Sequence, residues 1–337
     1  VTQAQAPGKA SATIQAALCP GVTGNAAVLS CMRSKTVDQI LTQQGDYTAA
    51  NPTDILSFSP VTGDPTASPP VVNATVPSSF AYAAANNKLV VVPLLAGGTK
   101  DELRLYVGYY WQAWHANPSG PIPDINSTTI GTTWLPMFYG SNASTVQNYS
   151  AYSSGFSSAN PDVVRETFGT VLSDYNPGIG INNCLYLQTS NVLMNYATRN
   201  PQVSAPIYQF EFADPAAPAC KVGIAEPCPT FNMGAVHSSE LNYLFPNLSN
   251  TAAINAPDLA PASQALSNQM VAYWAQFAYT GNPNRSGLPN WPLYNGANSA
   301  SVQLLKPGSV GPYNSDAQHQ CTAFWSPLYD LRNQPPF

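Results

Sequence analysis

Three histidines are present, and only one lies in surroundings typical of a catalytic base. His237 follows a turn of small residues, GAVHSSEL, that leads into a helix-like segment at residues 240–245. A loop just after Gly234 can present the imidazole from a fixed backbone to a cleft, where it would exchange protons near neutral pH. We expect a packing or surface role for His115 and a solvated side chain for His319, which lies in the polar stretch DAQHQC.

A candidate carboxylate partner for this histidine follows the longest apolar run of the chain. Asp101 and Glu102 come directly after LVVVPLLAGG (89–98) and two further residues. Ligands and catalytic groups of open α/β sheets gather beyond the carboxyl ends of strands. A buried carboxylate there would accept the imidazole N–H, fix its tautomer and stabilise the imidazolium. The local alternative is an ordinary acidic first turn of a helix, which complements the helix dipole.

The nucleophile that such a pair would activate is not encoded in a recognisable motif. A serine on a strand-to-helix elbow needs G-x-S-x-G, because small neighbours permit the strained turn. The sequence contains no such motif and no HGGG-like run, and the nearest stretch, YSSG (152–155), lacks the first glycine. In α/β-hydrolases the chain order is serine, acid, histidine. An acid at 101–102 and a histidine at 237 fit that order, and the serine is expected before Val1.

Composition excludes several other classes of protein. Only 9% of the residues are charged, against about 25% in an average soluble protein, and no run of Lys or Arg forms a patch. Nucleic acid and anionic membrane surfaces are therefore not expected partners. The longest apolar run contains a proline and is about half a membrane span, so no span is expected. No motif for a metal, a nucleotide or a flavin occurs, and we expect no cofactor.

The six cysteines favour structural disulfides over free core thiols. The alternative of a zinc site would need CxxC-type pairs or a cluster of histidine and cysteine ligands, which the spacing of these residues does not provide. Disulfides indicate an oxidising location, so we expect a secreted, extracellular or periplasmic protein. Counting alone leaves many connectivities open for Cys19, Cys31, Cys184, Cys220, Cys228 and Cys321.

Asn-x-Ser/Thr sequons make glycosylation possible. About as many arise by chance in a chain so rich in Asn, Ser and Thr, so their number carries no inference. They stand at Asn73, Asn126, Asn142, Asn148, Asn247 and Asn284.

Helical and strand-like segments alternate along the chain. The run 89–96 is apolar throughout, which predicts a strand buried on both faces. Further strands are expected at 206–212 and 302–305. Buried strands separated by helices predict an α/β sheet covered on both faces, in one domain or part of one. The predicted helices are 8–18, 35–44, 161–174, 183–198, 261–280 and a short final one within 321–331.

Several motifs together resemble the type-B carboxylesterase family, which includes cholinesterases and bile-salt or fungal lipases. GAVHSSELNYLF is similar to the histidine motif of that family, and LLAGGTKDELRLY to its acid motif. MVAYWAQFAYTGNPN followed by NWPLY resembles its tryptophan-bearing helix and TGNP turn. The stretch from Cys19 to CMRSK resembles its short disulfide loop, and CTAFW its C-terminal cysteine motif. These motifs follow one another in the family's order over nearly the whole chain.

The resemblance implies a fold, an activity and a role for each matching residue. It implies that residues 1–337 are the C-terminal portion of a single α/β-hydrolase domain, with a central, mostly parallel sheet and helices on both faces. His237 matches the general base, Glu102 the triad acid, Asp101 the residue preceding that acid, and Glu240 a buried supporting group. Leu103 departs from the glycine that often follows the acid. The implied disulfides are Cys19–Cys31 and Cys184–Cys321. Cys220 and Cys228 have no counterpart in the family, and their close spacing suggests an extra loop disulfide.

The implied function is ester hydrolysis through a Ser-His-Glu triad. This chain would supply histidine and glutamate, and a preceding segment or a separate N-terminal fragment would supply serine and the oxyanion hole. The substrate would be a small ester or a lipid ester. The alternative is a non-catalytic adhesion protein on the same fold. The aromatic residues between 106 and 152 could line an apolar pocket or belong to a helical cap on the core.

Overall fold

The computed structural model of the chain describes residues 10–51, 63, 70, 76, 78–203, 205–220, 224, 226–245, 259–296 and 299–331. Two compact units divide the chain, Val1–Leu89 and Val90–Pro336. The second unit contains the β-sheet and the predicted catalytic residues. That residues 1–337 form a portion of one catalytic domain stays a prediction.

Short helices make up the described part of the first unit. Helix α1 packs against α3 and buries Ile14. A disulfide with a Cα–Cα distance of 6.2 Å joins Cys19, just after α1, to Cys31 of α2. Helix α2, none of whose residues is buried, was not predicted from the sequence. The helices are α1 (Ala10–Leu18), α2 (Asn25–Arg33), α3 (Val37–Ala50) and α4 (Phe80–Ala85).

The two helices predicted for this region differ from the observed ones mainly at their ends. The helix predicted at 8–18 is present from Ala10, and residues 8 and 9 lie outside the described residues. The helix predicted at 35–44 begins two residues later and continues to Ala50.

A four-stranded sheet is the centre of the second unit. Its strands lie in the order β1-β2-β3-β4, with β1–β2 and β2–β3 parallel and β3–β4 antiparallel. The register pairs Leu94 with Ile207 and Gln209 with Val302. A mostly parallel sheet with helical crossovers agrees with the predicted α/β class. The strands are β1 (Leu94–Thr99), β2 (Ile207–Phe212), β3 (Val302–Leu305) and β4 (Gly311–Tyr313).

The first strand corrects the prediction made for residues 89–96. The strand begins only at Leu94, its first four residues are half-buried, and Val90 and Val92 are exposed. Pro93 has no N–H for a ladder hydrogen bond, which is consistent with the later start. Within the described residues β1 pairs only with β2, so it lies at a sheet edge and not between two strands.

The second strand is buried on both faces, as a strand covered by helices on each side requires. Tyr208, Phe210 and Phe212 point towards helix α12 (Pro261–Thr280), and Phe210 packs edge-on against Trp274. Gln209 points the other way and accepts a hydrogen bond from Ser190 of helix α10 (Asn183–Arg199) at 2.7 Å. Side chains alternate between the two faces of a strand, and here each face has its own helix.

Helix α12 and the sheet enclose the main apolar core. The bounds of α12 match the predicted helix 261–280, and Gly281 ends the helix in a left-handed conformation with φ +71°. Burial of each large apolar side chain contributes about 1.5–3 kcal/mol. The buried members of this core are Tyr208, Phe212, Ala217, Ala235, Tyr243, Leu266, Met270, Tyr273, Trp291 and Leu305.

The aromatic segment after the predicted acid is helical and largely packed. Trp134 is fully buried, and its ring centroid lies 4.9 Å from that of Tyr110 and 5.9 Å from that of Phe168 in helix α9 (Pro161–Asp174). This agrees with the helical-cap alternative for these residues. The remaining α-helices are α5 (Arg104–Ala116), α6 (Leu135–Tyr139), α7 (Ala143–Asn148), α8 (Ser153–Phe156), α9 (Pro161–Asp174), α11 (Leu241–Leu244), α13 (Ser315–Gln318) and α14 (Ser326–Tyr329). Shorter π and 3-10 turns cover Ile130–Trp134, Gly140–Asn142, Pro201–Val203 and Cys321–Trp325.

His319 corrects a second prediction, because it is not solvated. Only 1% of the residue is exposed, and its ring lies between two buried carboxylates. Nδ1 is 2.5 Å from Asp174 Oδ1, and Nε2 is 2.8 Å from Glu211 Oε2. The polar sequence around His319 gave no sign of this, since both partners are more than 100 residues away.

The other two disulfides are Cys184–Cys321, which the resemblance implies, and Cys220–Cys228, which the close spacing of these cysteines suggests. Cys184–Cys321, with a Cα–Cα distance of 5.3 Å, ties α10 to the C-terminal turn, next to His319. Cys220–Cys228, at 5.8 Å, closes a short loop after β2. No helix in the described part of the chain has the length and hydropathy needed to cross a membrane.

Candidate active site

The loop between β1 and α5 presents the predicted acid. Glu102 lies three residues beyond the end of β1, and its carboxylate turns back so that Oε1 accepts the backbone N–H of Thr99 at 2.8 Å. Leu103, the departure noted in the sequence, has φ −88° and ψ 1°. These dihedrals suit any L-residue, so this turn needs no glycine. The Leu103 N–H donates to Ser173 Oγ at 2.9 Å.

The predicted base and acid lie in direct contact. Nδ1 of His237 is 2.7 Å from Oε2 of Glu102, although the two residues are 135 positions apart. The backbones also meet, since the His237 N–H donates to the Glu102 carbonyl at 3.2 Å. The Glu102 side chain is 4% exposed and the His237 side chain 36%. The Glu102 carboxylate is therefore buried away from solvent, whereas the His237 imidazole is partly exposed at the surface.

The outer nitrogen of the imidazole is free in the part of the chain that the structure describes. Nδ1 is occupied by Glu102, and Nε2 makes no hydrogen bond within those residues. A carboxylate on Nδ1 holds the proton on that nitrogen and leaves Nε2 as the acceptor. This arrangement can remove a proton from a hydroxyl that approaches Nε2.

Asp101 holds the loop that carries His237. Its Oδ2 accepts the Ala235 N–H at 3.0 Å, and its own N–H donates to the Ala235 carbonyl at 2.9 Å. Gly234 has φ +63°, and a Cβ at this position would collide with the Asp101 carboxylate. Glycine is required here both by the backbone and by the close approach.

Arg104 completes this clamp from the first turn of α5. Its guanidinium binds Asp101 at 2.7 Å, the Asn232 carbonyl at 3.1 Å and Thr170 Oγ1 at 2.8 Å. The predicted alternative, in which Asp101 and Glu102 are the acidic first turn of a helix, is wrong, because α5 begins only at Arg104.

Tyr186 is a side chain of the site that the sequence did not predict. Its hydroxyl donates to Glu102 Oε1 at 3.0 Å, so this oxygen has two donors while Oε2 is left for His237. Gly98 makes room for the ring, since a Cβ there would overlap both Tyr186 and Glu102. The only available signal was its position two residues after Cys184 in a predicted helix, which says nothing about its partner.

The charges of the site act on one another. The hydrogen bond to Glu102 raises the pKa of His237 above its ordinary value, and this outweighs the opposing effect of burial. Burial, together with the nearby Glu102 charge, raises the pKa of Glu240 to about 7. Glu240 begins the turn into α11 and lies on the same side of the site. A group that titrates near neutral pH beside a candidate base is typical of catalytic sites.

Comparisons with known proteins agree on one family. A model described as the carboxylesterase family matches residues 1–325. Carboxylesterase 5A of Canis lupus familiaris is 36% identical over 128 residues, covering 38% of this chain and 20% of that protein. Cocaine esterase of Homo sapiens is 37% identical over 90 residues, covering 27% of this chain and 14% of that protein.

A solved structure of an esterase is similar to this chain in fold. A thermophilic PNB esterase superposes with a TM-score of 0.56 at 21% identity, over 95% of this chain and 54% of the esterase. The chain thus spans about half the length of that esterase and matches a smaller share of each sequence relative. The family match over 1–325, with the mostly parallel sheet, shows that this chain belongs to the carboxylesterase family and has the α/β-hydrolase fold.

Proposed function

We propose that this chain contributes the general base and its orienting acid to a serine carboxylesterase. The carrying observation is the contact between His237 and Glu102, with Nε2 unoccupied and the imidazole partly exposed. Membership of the carboxylesterase family supports the same reaction class. Small esters or lipid esters are the proposed substrates.

The chemistry follows from the position of the protons. His237 Nε2 takes the proton of a serine hydroxyl as the serine oxygen attacks the ester carbonyl, and the imidazolium is stabilised by Glu102. The C–O bond to the alcohol then breaks, and Nε2 returns the proton to the leaving oxygen. Water repeats the sequence in reverse: Nε2 takes a proton from water, hydroxide adds to the acyl carbon, and the serine leaves with the proton.

The serine and the oxyanion hole are proposed to come from a preceding segment or a separate N-terminal fragment. No serine among the described residues hydrogen-bonds His237, and the sequence contains no G-x-S-x-G motif. The matching esterase is about twice as long as the matched region, which supports a contribution from outside these residues. The three disulfides support export to an oxidising compartment, so we propose a secreted or extracellular protein.

The base is tested by kinetics on the full-length natural protein. We expect His237→Ala and Glu102→Gln each to lower kcat for p-nitrophenyl butyrate by about three to four powers of ten. His115→Ala is the matched control, because this exposed ring packs against Trp111 and Trp114, which belong to its own helix and are not residues of the site. Rates close to wild type in His237→Ala would refute the proposed role.

The origin of the serine is tested separately by covalent labelling. A fluorophosphonate probe should label the active protein, and peptide mapping should place the label before residue 1 of this chain. Denaturing electrophoresis then distinguishes a single long polypeptide from two associated fragments. A label on a serine within residues 1–337 would contradict the external supply while leaving His237 as the base.

The alternative, a non-catalytic adhesion protein on this fold, is less well supported. Adhesion does not require a carboxylate on Nδ1 of a half-exposed histidine, and the paired geometry is intact here. A protein that neither reacts with the probe nor hydrolyses activated esters would favour this alternative.

A further inference from the structure

Four of the six sequons lie in the described residues, and the folded environment of their side-chain amides differs sharply. An N-linked oligosaccharide is bulky and needs its asparagine at the surface. We propose that Asn148 is an N-glycosylation site and that Asn126, Asn142 and Asn284 are not. The inference rests on the proposed export through an oxidising compartment and is independent of the esterase activity. Asn73 and Asn247 lie outside the described residues.

Asn284 is excluded because its amide is part of the core architecture. Its Nδ2 donates to the Trp291 carbonyl at 2.9 Å and to Asn282 Oδ1 at 3.1 Å. Its Oδ1 accepts the Trp291 N–H at 2.7 Å. Trp291 is 1% exposed and belongs to the main core. A sugar on Nδ2 would remove this tryptophan-bearing segment from its position.

Asn126 is excluded for a similar reason. Its Oδ1 accepts the N–H groups of Thr128 and Thr129 at 2.9 and 3.2 Å, and its Nδ2 donates to Asp124 Oδ2 at 3.1 Å. Asp124 is in turn paired with the buried Arg165 at 2.6 Å. Both ends of this half-buried amide are therefore engaged in hydrogen bonds.

Asn142 is half-buried in the 3-10 turn before α7. Its side chain lies beside the phenol of Tyr329 in the C-terminal helix and opposes the rise that burial causes in the pKa of that phenol. An oligosaccharide on this amide would separate the two segments.

Asn148 differs from all three. It is the last residue of α7 and is exposed, as is Ser150, the hydroxyl residue of its sequon. The intervening Tyr149 points inward, with its ring 3.8 Å from Phe324 and its hydroxyl 2.9 Å from Gln320 Oε1. Adjacent side chains at this helix end therefore point in opposite directions, and the asparagine faces solvent.

The modified amide fits this position without loss of structure. Nδ2 donates only to the exposed Ser144 carbonyl, at 2.8 Å. Transfer joins Nδ2 to the C1 atom of an oligosaccharide, releases a lipid diphosphate from the host's glycosyl donor and removes one amide proton. The remaining Nδ2–H can still donate to the Ser144 carbonyl. Where the sugar prevents this bond, a water molecule can donate to that exposed carbonyl instead.

The test is site mapping on the full-length protein secreted from a eukaryotic host. Release of N-glycans by peptide:N-glycosidase in H₂¹⁸O converts each glycosylated asparagine to ¹⁸O-labelled aspartate. We expect the label at position 148 and none at 126, 142 or 284. An unlabelled position 148, or a label at 284, would overturn the proposal.

Two conservative variants give an independent measurement by electrophoretic mobility. Ser150→Ala destroys the Asn148 sequon without touching the asparagine and should remove one glycan. Ser286→Ala destroys the Asn284 sequon, keeps the contacts of Asn284 with Trp291 and should leave the mobility unchanged. Both serines are exposed, so both variants are expected to fold. A secreted, active and unglycosylated protein would refute the site while leaving export and esterase activity intact.

Discussion

At the scale of single residues, the two oxygens of Glu102 have separate tasks. Oε2 receives the imidazole of His237, and Oε1 is held by the Thr99 N–H and the Tyr186 hydroxyl. Two donors on one oxygen fix the rotation of the carboxylate and stabilise its charge in a dry environment. The imidazole of His237 is thus oriented by a carboxylate whose own rotation is fixed by two hydrogen bonds.

Tyr186→Phe tests this indirect positioning. We expect kcat to fall about fivefold, the equivalent of one hydrogen bond of about 1 kcal/mol, with KM unchanged. The acid limb of the kcat/KM profile should move to higher pH, because a carboxylate with one donor fewer holds the His237 proton more strongly. The measurement is a pH–rate profile with p-nitrophenyl butyrate.

The matched control for this change is Tyr279→Phe, at a tyrosine that is 89% exposed. A purely packing role for Tyr186 would lower the melting temperature and leave the pH profile unmoved. That outcome would contradict the positioning role.

The sequence predicted His237 and Glu102, with the supporting Asp101 and Glu240, because their motifs are local. It did not predict the supports that come from other helices. Tyr186 donates to Glu102 and Ser173 accepts the Leu103 N–H, each from a helix 70 or more residues away, and nothing in their local sequence marks them. Long-range hydrogen bonds depend on how helices pack, which periodicity alone does not determine.

At the scale of elements, a second buried carboxylate connects the histidine segment to the core. Asp214, two residues beyond β2, accepts the hydroxyl of Tyr243 at 2.6 Å and that of Ser263 at 2.5 Å. Ser267 donates to the Tyr243 carbonyl at 2.7 Å. Tyr243 belongs to α11, which directly follows His237, so this network joins the sheet, α12 and the catalytic segment.

Asp214→Asn should weaken this connection. The amide cannot accept all the donors that the carboxylate accepts, so we expect a loss of about 1–3 kcal/mol in the free energy of unfolding. Because α11 begins four residues after His237, a shift of this helix should also move the imidazole, and kcat should fall a few-fold. Urea unfolding and kinetics on the same sample measure both effects.

The same exchange at an exposed site, Asp38→Asn, provides the control. Equal stability of the Asp214 and Asp38 variants would contradict a structural role for the network.

Elements with strong periodicity were the most predictable. The bounds of α9, α12 and β3 equal those predicted, and in α12 Leu266, Met270, Trp274 and Phe277 recur at helical spacing before Gly281 ends the helix. Residues 89–93 misled the prediction, since an apolar run reads as a buried strand even where its side chains are exposed. The short strand β4 (Gly311–Tyr313) has no alternating pattern and depends on its pairing with β3.

At the scale of the whole molecule, His319 joins segments that are distant in the chain. Asp174 ends α9, Glu211 lies in β2, and His319 precedes the Cys321 disulfide. Tyr152 and Ser315 donate further hydrogen bonds to the same carboxylates, at 2.7 and 2.8 Å. A positive charge between two buried anions offsets part of their desolvation cost, and removing one member of such a group typically costs about 3–5 kcal/mol.

The pH dependence of stability should reveal this histidine. Burial opposes the charged form, but the charges and hydrogen bonds of Glu211 and Asp174 prevail and raise the pKa of His319 to about 10. Since the unfolded value is about 6.5, its stabilising contribution is complete below that pH and is lost as the pH rises towards 10. Across this interval the folded state holds one proton more than the unfolded state, so the free energy of unfolding should fall by roughly 1 kcal/mol per pH unit.

Urea unfolding at pH 6, 7, 8 and 9, with the disulfides intact, measures the slope, and His319→Gln separates it from other titrating groups. The variant should be less stable at pH 6 and should show a flatter dependence, because no proton is gained on folding at this position. His115→Gln, at the exposed histidine, should keep the wild-type slope. If His319→Gln does not fold, the slopes of the wild type and of His115→Gln still test whether His319 is protonated in the folded state. A flat wild-type profile between pH 7 and 9 is incompatible with a protonated, buried His319.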